Sequence, residues 1–141
     1  MGKNNQYAEG LEFAIDILIE GLKVNVPTLD RAHHTPNVPP EDVAYLRACV
    51  RTYADTAARV RGELDEVNGF DVKARIALHR AFKQAQAEAN ELVLKMVTLS
   101  DKPVEAKAVA EELELKQRQA DSLIVRAAIA APAPRSTSLM N

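Results

Sequence analysis

Apolar residues recur every three or four positions along most of this chain, which is the spacing of one face of an α-helix. In segment 41–67 the repeated apolar positions are Val43, Leu46, Val50, Tyr53, Ala57, Val60, Leu64 and Val67. In segment 71–99 they are Leu78, Phe82, Ala85, Ala89, Leu92, Met96 and Leu99. Seams of this length are typical of helices that pack side by side in a coiled-coil-like manner. We therefore predict a long paired helix in each segment.

Prolines and glycines mark the ends of the predicted helices. Pro27 is expected to stop the first helix, because proline lacks an amide hydrogen and clashes with the preceding turn. Asn68 and Gly69 are typical of a helix end, and Pro103 suits the first turn of a fourth helix. Residues 132–141 carry too few apolar side chains to fold alone and are predicted to form a tail. The predicted helices are about 5–24, 41–67, 71–99 and 102–131.

The short links between helices restrict their arrangement. About three residues separate the second helix from the third, and a similar link joins the third to the fourth. Long helices with such short links must reverse direction. We predict an all-α fold with one domain, residues 1–131. It is an elongated antiparallel bundle of three long helices plus the N-terminal helix, and the second and third helices form a hairpin.

The N-terminal helix carries more apolar surface than one neighbour can cover. One face consists of Leu11, Ala14, Ile15, Leu18, Ile19 and Leu22. A second stripe consists of Phe13, Ile17 and Val24. A helix that is apolar over most of its circumference needs cover on two sides. We expect the second stripe to form an oligomer interface; the alternative is that this helix packs centrally in a monomeric bundle.

Composition narrows the function classes. The chain of 141 residues is 47% hydrophobic and 27% charged with a formal net charge of −2, which is unlike a disordered protein or a general phosphate binder. No apolar run has the roughly 18 residues that a membrane-spanning helix needs. The first residues lack the apolar segment of a secretory signal, so we expect a cytoplasmic protein without membrane contacts.

No motif in the sequence indicates catalysis. His33 and His34 would need further ligands from elsewhere to hold a metal, so we predict a solvated loop. His79 is expected to be a hydrogen-bonded residue beside the helix seam. The arginines of the second helix are expected to be solvated or ion-paired; they are Arg47, Arg51, Arg59 and Arg61. We predict that the protein is not an enzyme and uses neither a metal nor another cofactor.

The stretch AKAVAEELELKQRQADSLI, residues 106–124, is open to two interpretations. Its apolar spacing fits a DNA-binding helix-turn-helix, in which Gln117, Arg118 and Gln119 would begin the recognition helix. Glu114, however, occupies the position that normally holds the turn glycine. The same stretch also forms one continuous seam of three-four spacing. We favour an unbroken helix and keep DNA binding as an alternative.

The stretch ARIALHRAF, residues 74–82, follows the helix start PPEDVAYLRACV. Together they resemble the helical hairpin of phage-encoded sponges for cyclic-nucleotide immune signals, over residues 38–99 at most. The resemblance implies a viral homo-oligomer that sequesters nucleotides without cleaving them. It also implies that Arg75 contacts phosphate.

The function predicted from these patterns is structural or adaptor-like. A non-enzymatic helical protein would act through homo-oligomerisation and through helix contacts with another protein, and nucleic acid is not an expected partner. The two alternatives are nucleotide sequestration by an oligomer and DNA binding through residues 106–124.

Overall fold

The described part of the protein consists of four long α-helices. The computed structural model describes residues 2–135, and within them the helices are α1 (Gly2–His34), α2 (Pro40–Val67), α3 (Lys73–Thr98) and α4 (Pro103–Ile129). Apart from one isolated β-bridge, the described residues contain no β-structure. The predicted all-α helical bundle is confirmed.

The first helix is longer than predicted, because Pro27 lies inside α1 and does not end it. Proline removes one backbone hydrogen bond, but packing on both sides of it favours a continuous helix. Val26 and Leu29 flank the proline and pack in the core, so ending the helix at Val24 would expose them. Residues that were predicted to form a loop, including His33 and His34, are the last turns of α1.

The helices form two antiparallel hairpins, α1 with α2 and α3 with α4. The two hairpins contact each other through α2 and α4. These helices run in the same direction: Arg47 of α2 bonds Asp121 of α4, and Arg61, later in α2, bonds the carbonyl oxygen of Ala130, at the end of α4. In cross-section the order is α1, α2, α4, α3. The predicted pairing of α3 with α4 is confirmed. The predicted packing of α2 against α3 is wrong. The chain does reverse direction between these two helices, but of the packed helix pairs they touch each other least.

Small side chains line the centre of the bundle, where α2 packs on α4. The helices meet through alanines that are almost completely buried, which lets their backbones approach closely. These alanines are Ala54, Ala57 and Ala58 on α2 and Ala120, Ala127 and Ala128 on α4. Val50, Phe82 and Ile124 fill the wider layers of the same core.

Helix α1 packs along α2 at one edge of the four-helix arrangement. Its buried residues Ile15, Leu22 and Leu29 recur every seven positions. Gly21 lies against the ring of Tyr53, and a β-carbon at that position would lie 2.9 Å from the ring. Glycine at this position therefore lets α1 lie close to α2 without moving the Tyr53 ring.

Helix α4 is continuous from Pro103 to Ile129, as favoured from the sequence. The helix-turn-helix interpretation of residues 106–124 is wrong. The stretch contains no glycine or cap that could form the turn. Val109, Ala120 and Ile124 are buried along one uninterrupted helix, so a bend near Leu115 would break the packing on both sides of it.

The first residues of the predicted tail lie against the α2–α3 connection. The amide of Asp71 donates to the carbonyl oxygen of Ala133 at 2.8 Å, and Arg135 Nε donates to the carbonyl oxygen of Gly69 at 2.9 Å. Gly69 has a φ of +80°, a conformation that glycine adopts without strain. The rest of the tail, 136–141, lies outside the described residues. Among residues 2–135, none of the helices combines the length and apolarity that crossing a bilayer requires.

Candidate interaction surfaces

The predicted interface residues lie on the open side of α1. Phe13, Ile17 and Val24 are 68%, 54% and 66% exposed. At about 100° per residue they lie roughly opposite the buried row that contacts α2. We call these three residues the α1 stripe. The alternative that α1 packs centrally is wrong, because α1 is an edge helix with one side open.

Acidic side chains border the α1 stripe along its N-terminal half. They are Glu9, Glu12, Asp16 and Glu20, all exposed. Lys23 follows them and forms an exposed ion pair with Glu20 at 3.1 Å. Gly10 continues the stripe toward the N-terminus, and a β-carbon built there would meet no atom within 4 Å. The stripe is therefore a flat, accessible ridge with an acidic border that ends in a lysine.

A groove of about 620 Å³ separates the C-terminal part of α2 from the N-terminal part of α3. It exists because α2 and α3 lie on two sides of α4 and barely touch each other. Apolar surface from Ala58, Val60, Val72 and Ile76 lies between charged side chains, which are Arg59, Glu63, Glu66 and Arg80. One end is crossed by a contact of 2.7 Å between His79 Nε2 and Asp55 Oδ1. The prediction that His79 is a hydrogen-bonded flanking residue is confirmed.

Arg75 forms the floor of this groove, but its guanidinium group is engaged inside the protein. It donates to Asp65 Oδ2 at 2.9 Å, to the carbonyl oxygen of Ala130 at 2.8 Å and to that of Ala127. Both carbonyls lie at the C-terminal end of α4, where a positive charge is favourable. Arg75 is 6% exposed. The residue predicted to contact a nucleotide phosphate is therefore placed where it caps α4.

A second buried polar cluster fixes α2 against α4. Asp121 accepts hydrogen bonds from Arg47 Nε at 2.8 Å and from Arg51 Nε at 2.7 Å. Arg51 also donates to Gln117 Oε1 at 2.6 Å. We call Arg47, Arg51 and Asp121 the arginine cluster. The ion-paired interpretation of the α2 arginines is confirmed for these two. Sequence reasoning missed their partner, because Asp121 is a single acid beside the apolar seam.

His33 connects the end of α1 to the arginine cluster. Arg47 Nη2 donates to His33 Nε2 at 3.2 Å, and His33 Nδ1 lies 3.3 Å from Glu114 Oε1. Burial lowers the pKa of His33 below its usual 6.5, with Arg118 and Arg47 adding to this effect and Glu114 and Asp121 opposing it. The neutral ring thus serves as a hydrogen-bonding link.

The residues assigned to DNA recognition have other contacts. Gln117 binds Arg51, Arg118 Nε donates to Glu114 at 3.1 Å, and Gln119 accepts from Lys116 at 3.5 Å. These side chains belong to the middle of α4 and do not begin a helix. Within residues 2–135, no group of three or more His, Cys, Asp or Glu side chains is arranged to hold a metal ion.

Comparison of the chain with protein-family models, curated proteins and solved structures gave no match.

Proposed function

We propose that this chain is a non-enzymatic, structural or adaptor-like protein that assembles with copies of itself through the α1 stripe. One observation carries the proposal: three large apolar side chains lie in line on the open side of an edge helix. Scattered apolar residues are normal on a protein surface, whereas an aligned set with a polar border is typical of an interaction site.

The free energy for assembly would come from removing this apolar surface from water. Each Å² of apolar area contributes about 25 cal/mol, but association also costs translational and rotational freedom. A single helix stripe therefore supports a moderate affinity. Helix α1 is suited to this role because its long packed face on α2 holds the stripe rigidly, so little conformational entropy is lost on binding.

The tip of the α3–α4 hairpin is a separate surface that suits contact with another protein. Arg47 is close to the start of α2, while its partner Asp121 is far from the start of α4. Helix α4 therefore extends beyond the start of α2. Leu94, Val97 and Val104 are exposed on this extension. An adaptor role combines self-assembly through α1 with partner binding at this tip.

Nucleotide sequestration has less support. It relies on Arg75, and the hydrogen bonds of that guanidinium to Asp65 and to the end of α4 leave little capacity for a phosphate.

Light scattering coupled to size exclusion tests the proposed self-assembly. The wild-type chain is expected to show a mass above that of the 15.5 kDa monomer at micromolar concentration. Phe13→Asp should reduce the mass to the monomer, since it places a charge in the stripe. Leu115→Asp is the matched control, because Leu115 is 70% exposed on α4 and distant from the stripe. Equal masses for both variants and the wild type would contradict the proposal.

A further inference from the structure

We propose that the α1 stripe of one copy docks in the α2–α3 groove of a second copy, so that the protein assembles head to tail. This inference rests on the proposed function and adds the partner surface and the orientation. Both surfaces belong to the same chain, but they lie on different sides of it, because α1 packs on the side of α2 that faces away from α3.

The groove has room for about two turns of one more helix. Helices α2 and α3 lie on either side of α4. The contacts of His79 with Asp55 and of Arg75 with Asp65 bridge them, and the groove lies open above these contacts. The groove is lined from residue 58 to 66 on α2 and from 72 to 80 on α3. That is about 12 Å, or two helical turns. Ile76 is 44% exposed there and offers apolar surface to an incoming side chain such as Ile17.

Two charges on the rim of the groove are complementary to two of the charges beside the stripe. On α2, Arg59 and Glu66 are seven residues apart and both are exposed. On α1, Asp16 and Lys23 are also seven residues apart and exposed. Seven residues advance a helix by about 10.5 Å in both cases. An α1 helix that runs parallel to α2 therefore brings Asp16 near Arg59 and Lys23 near Glu66 of the other copy. These contacts would compete with the ion pairs that Arg59 forms with Asp55 and Lys23 with Glu20 in each chain.

The handedness of the helix agrees with this orientation. When the stripe points toward α4 and the incoming α1 runs parallel to α2, the flank with Asp16 and Lys23 turns toward α2, because α-helices are right-handed. In the opposite direction the same flank would face α3, and the charge order would be reversed along the groove. Charge and geometry thus select one orientation.

Head-to-tail contacts use two different surfaces, so each copy retains one free stripe and one free groove after pairing. Such contacts continue until they close a ring, or they extend as a filament. A pairing of two α1 stripes about a two-fold axis would instead stop at a dimer. Only the head-to-tail arrangement therefore requires the groove.

A mixing experiment separates these arrangements. Phe13→Asp removes the stripe and Ile76→Asp removes the groove, and both residues are exposed enough for the fold to survive. Circular dichroism melting curves check this. Each variant alone is expected to be monomeric. An equimolar mixture should form a one-to-one dimer and nothing larger, because only one intact stripe and one intact groove remain.

Each other outcome has a definite meaning. Assembly of Ile76→Asp at the wild-type level would overturn the groove as the partner but leave assembly through α1 intact. A mixture that stays monomeric would overturn head-to-tail docking. A wild-type chain that is itself monomeric would contradict the proposed function and with it this inference.

Charge reversal tests the orientation independently. Lys23→Glu and Glu66→Lys should each weaken self-association about two- to fivefold, as expected for rim ion pairs. The double variant should recover the wild-type affinity, since the pair is restored with its charges exchanged. Glu105→Lys on α4 is the control and should leave the affinity unchanged. Failure of the double variant to recover would overturn the parallel orientation.

Discussion

Replacing Asp121 by asparagine should destabilise the fold far more than the same substitution at the surface. The carboxylate of Asp121 lies between Arg47 and Arg51 and receives a hydrogen bond from the Nε of each at 2.8 and 2.7 Å. Asparagine keeps the shape of the side chain but removes its charge. Two guanidinium groups would then remain close together and largely buried without their shared counter-ion.

The magnitude follows from burial. Removing one partner of a buried ion pair typically costs about 3–5 kcal/mol. The side chains of the arginine cluster are 11–16% exposed, so some water can still reach them. Arg51 also keeps its bond to Gln117, and Arg47 keeps its ion pair with Glu114 at 3.4 Å. We therefore expect the lower end of the range, a loss of about 3 kcal/mol in the free energy of unfolding.

Asp30→Asn provides the matched control. Asp30 is exposed near the C-terminal end of α1, and its carboxylate lies 3.9 Å from the ring of His34. A negative charge at this end of a helix is not favourable, so its removal should change stability by less than about 0.5 kcal/mol.

Urea unfolding followed by circular dichroism measures both changes. The variants are best compared in a Phe13→Asp background, because assembly would otherwise make stability depend on protein concentration. A loss below about 1 kcal/mol for Asp121→Asn would refute the reasoning, since an exposed pair contributes that much at most. It would mean that the arginine cluster is effectively hydrated.

Two further predictions concern glycine packing and pH. Gly21→Ala should destabilise the fold, because its β-carbon would meet the ring of Tyr53. Gly10→Ala should stabilise the fold by about 0.5–1 kcal/mol through helix propensity alone. Equal changes in the free energy of urea unfolding for the two variants would contradict this prediction. The lowered pKa of His33 means that the folded protein binds the proton less readily than the unfolded chain, so the stability due to the neutral ring is complete above about pH 6.5 and is lost as pH falls below it. His33→Gln should flatten this part of the pH dependence of the free energy of unfolding, and His34→Gln is the control variant. Identical pH dependence for His33→Gln and the wild type would argue against the buried neutral ring.

Local patterns predicted the helices and the pairing of α3 with α4, but not the partners of α2. The three-four spacing was sufficient to favour a continuous α4, because no breaking residue interrupts it. Pro27 was a misleading signal, since its local cost is smaller than the benefit of burying Val26 and Leu29 on α2. Helix α2 could have paired with either α3 or α4, because all three seams are apolar and share one period. The choice depends on how the buried alanines fit, which spacing does not encode.

The two candidate surfaces also differ in whether the sequence could predict them. The α1 stripe could be predicted because it is a surplus of apolar residues within one helix. The groove could not, because it arises from the separation of α2 and α3 by α4. Arg75 was assigned from a local resemblance, while its actual partners at the end of α4 lie more than fifty residues further along the chain.

Sedimentation equilibrium of the wild-type chain across the micromolar range tests the central claim most directly. If the α1 stripe mediates assembly, the weight-average mass should rise with concentration from the 15.5 kDa of one chain. A mass that stays at 15.5 kDa at every concentration would show that the stripe remains exposed to water and that the protein does not act by self-assembly.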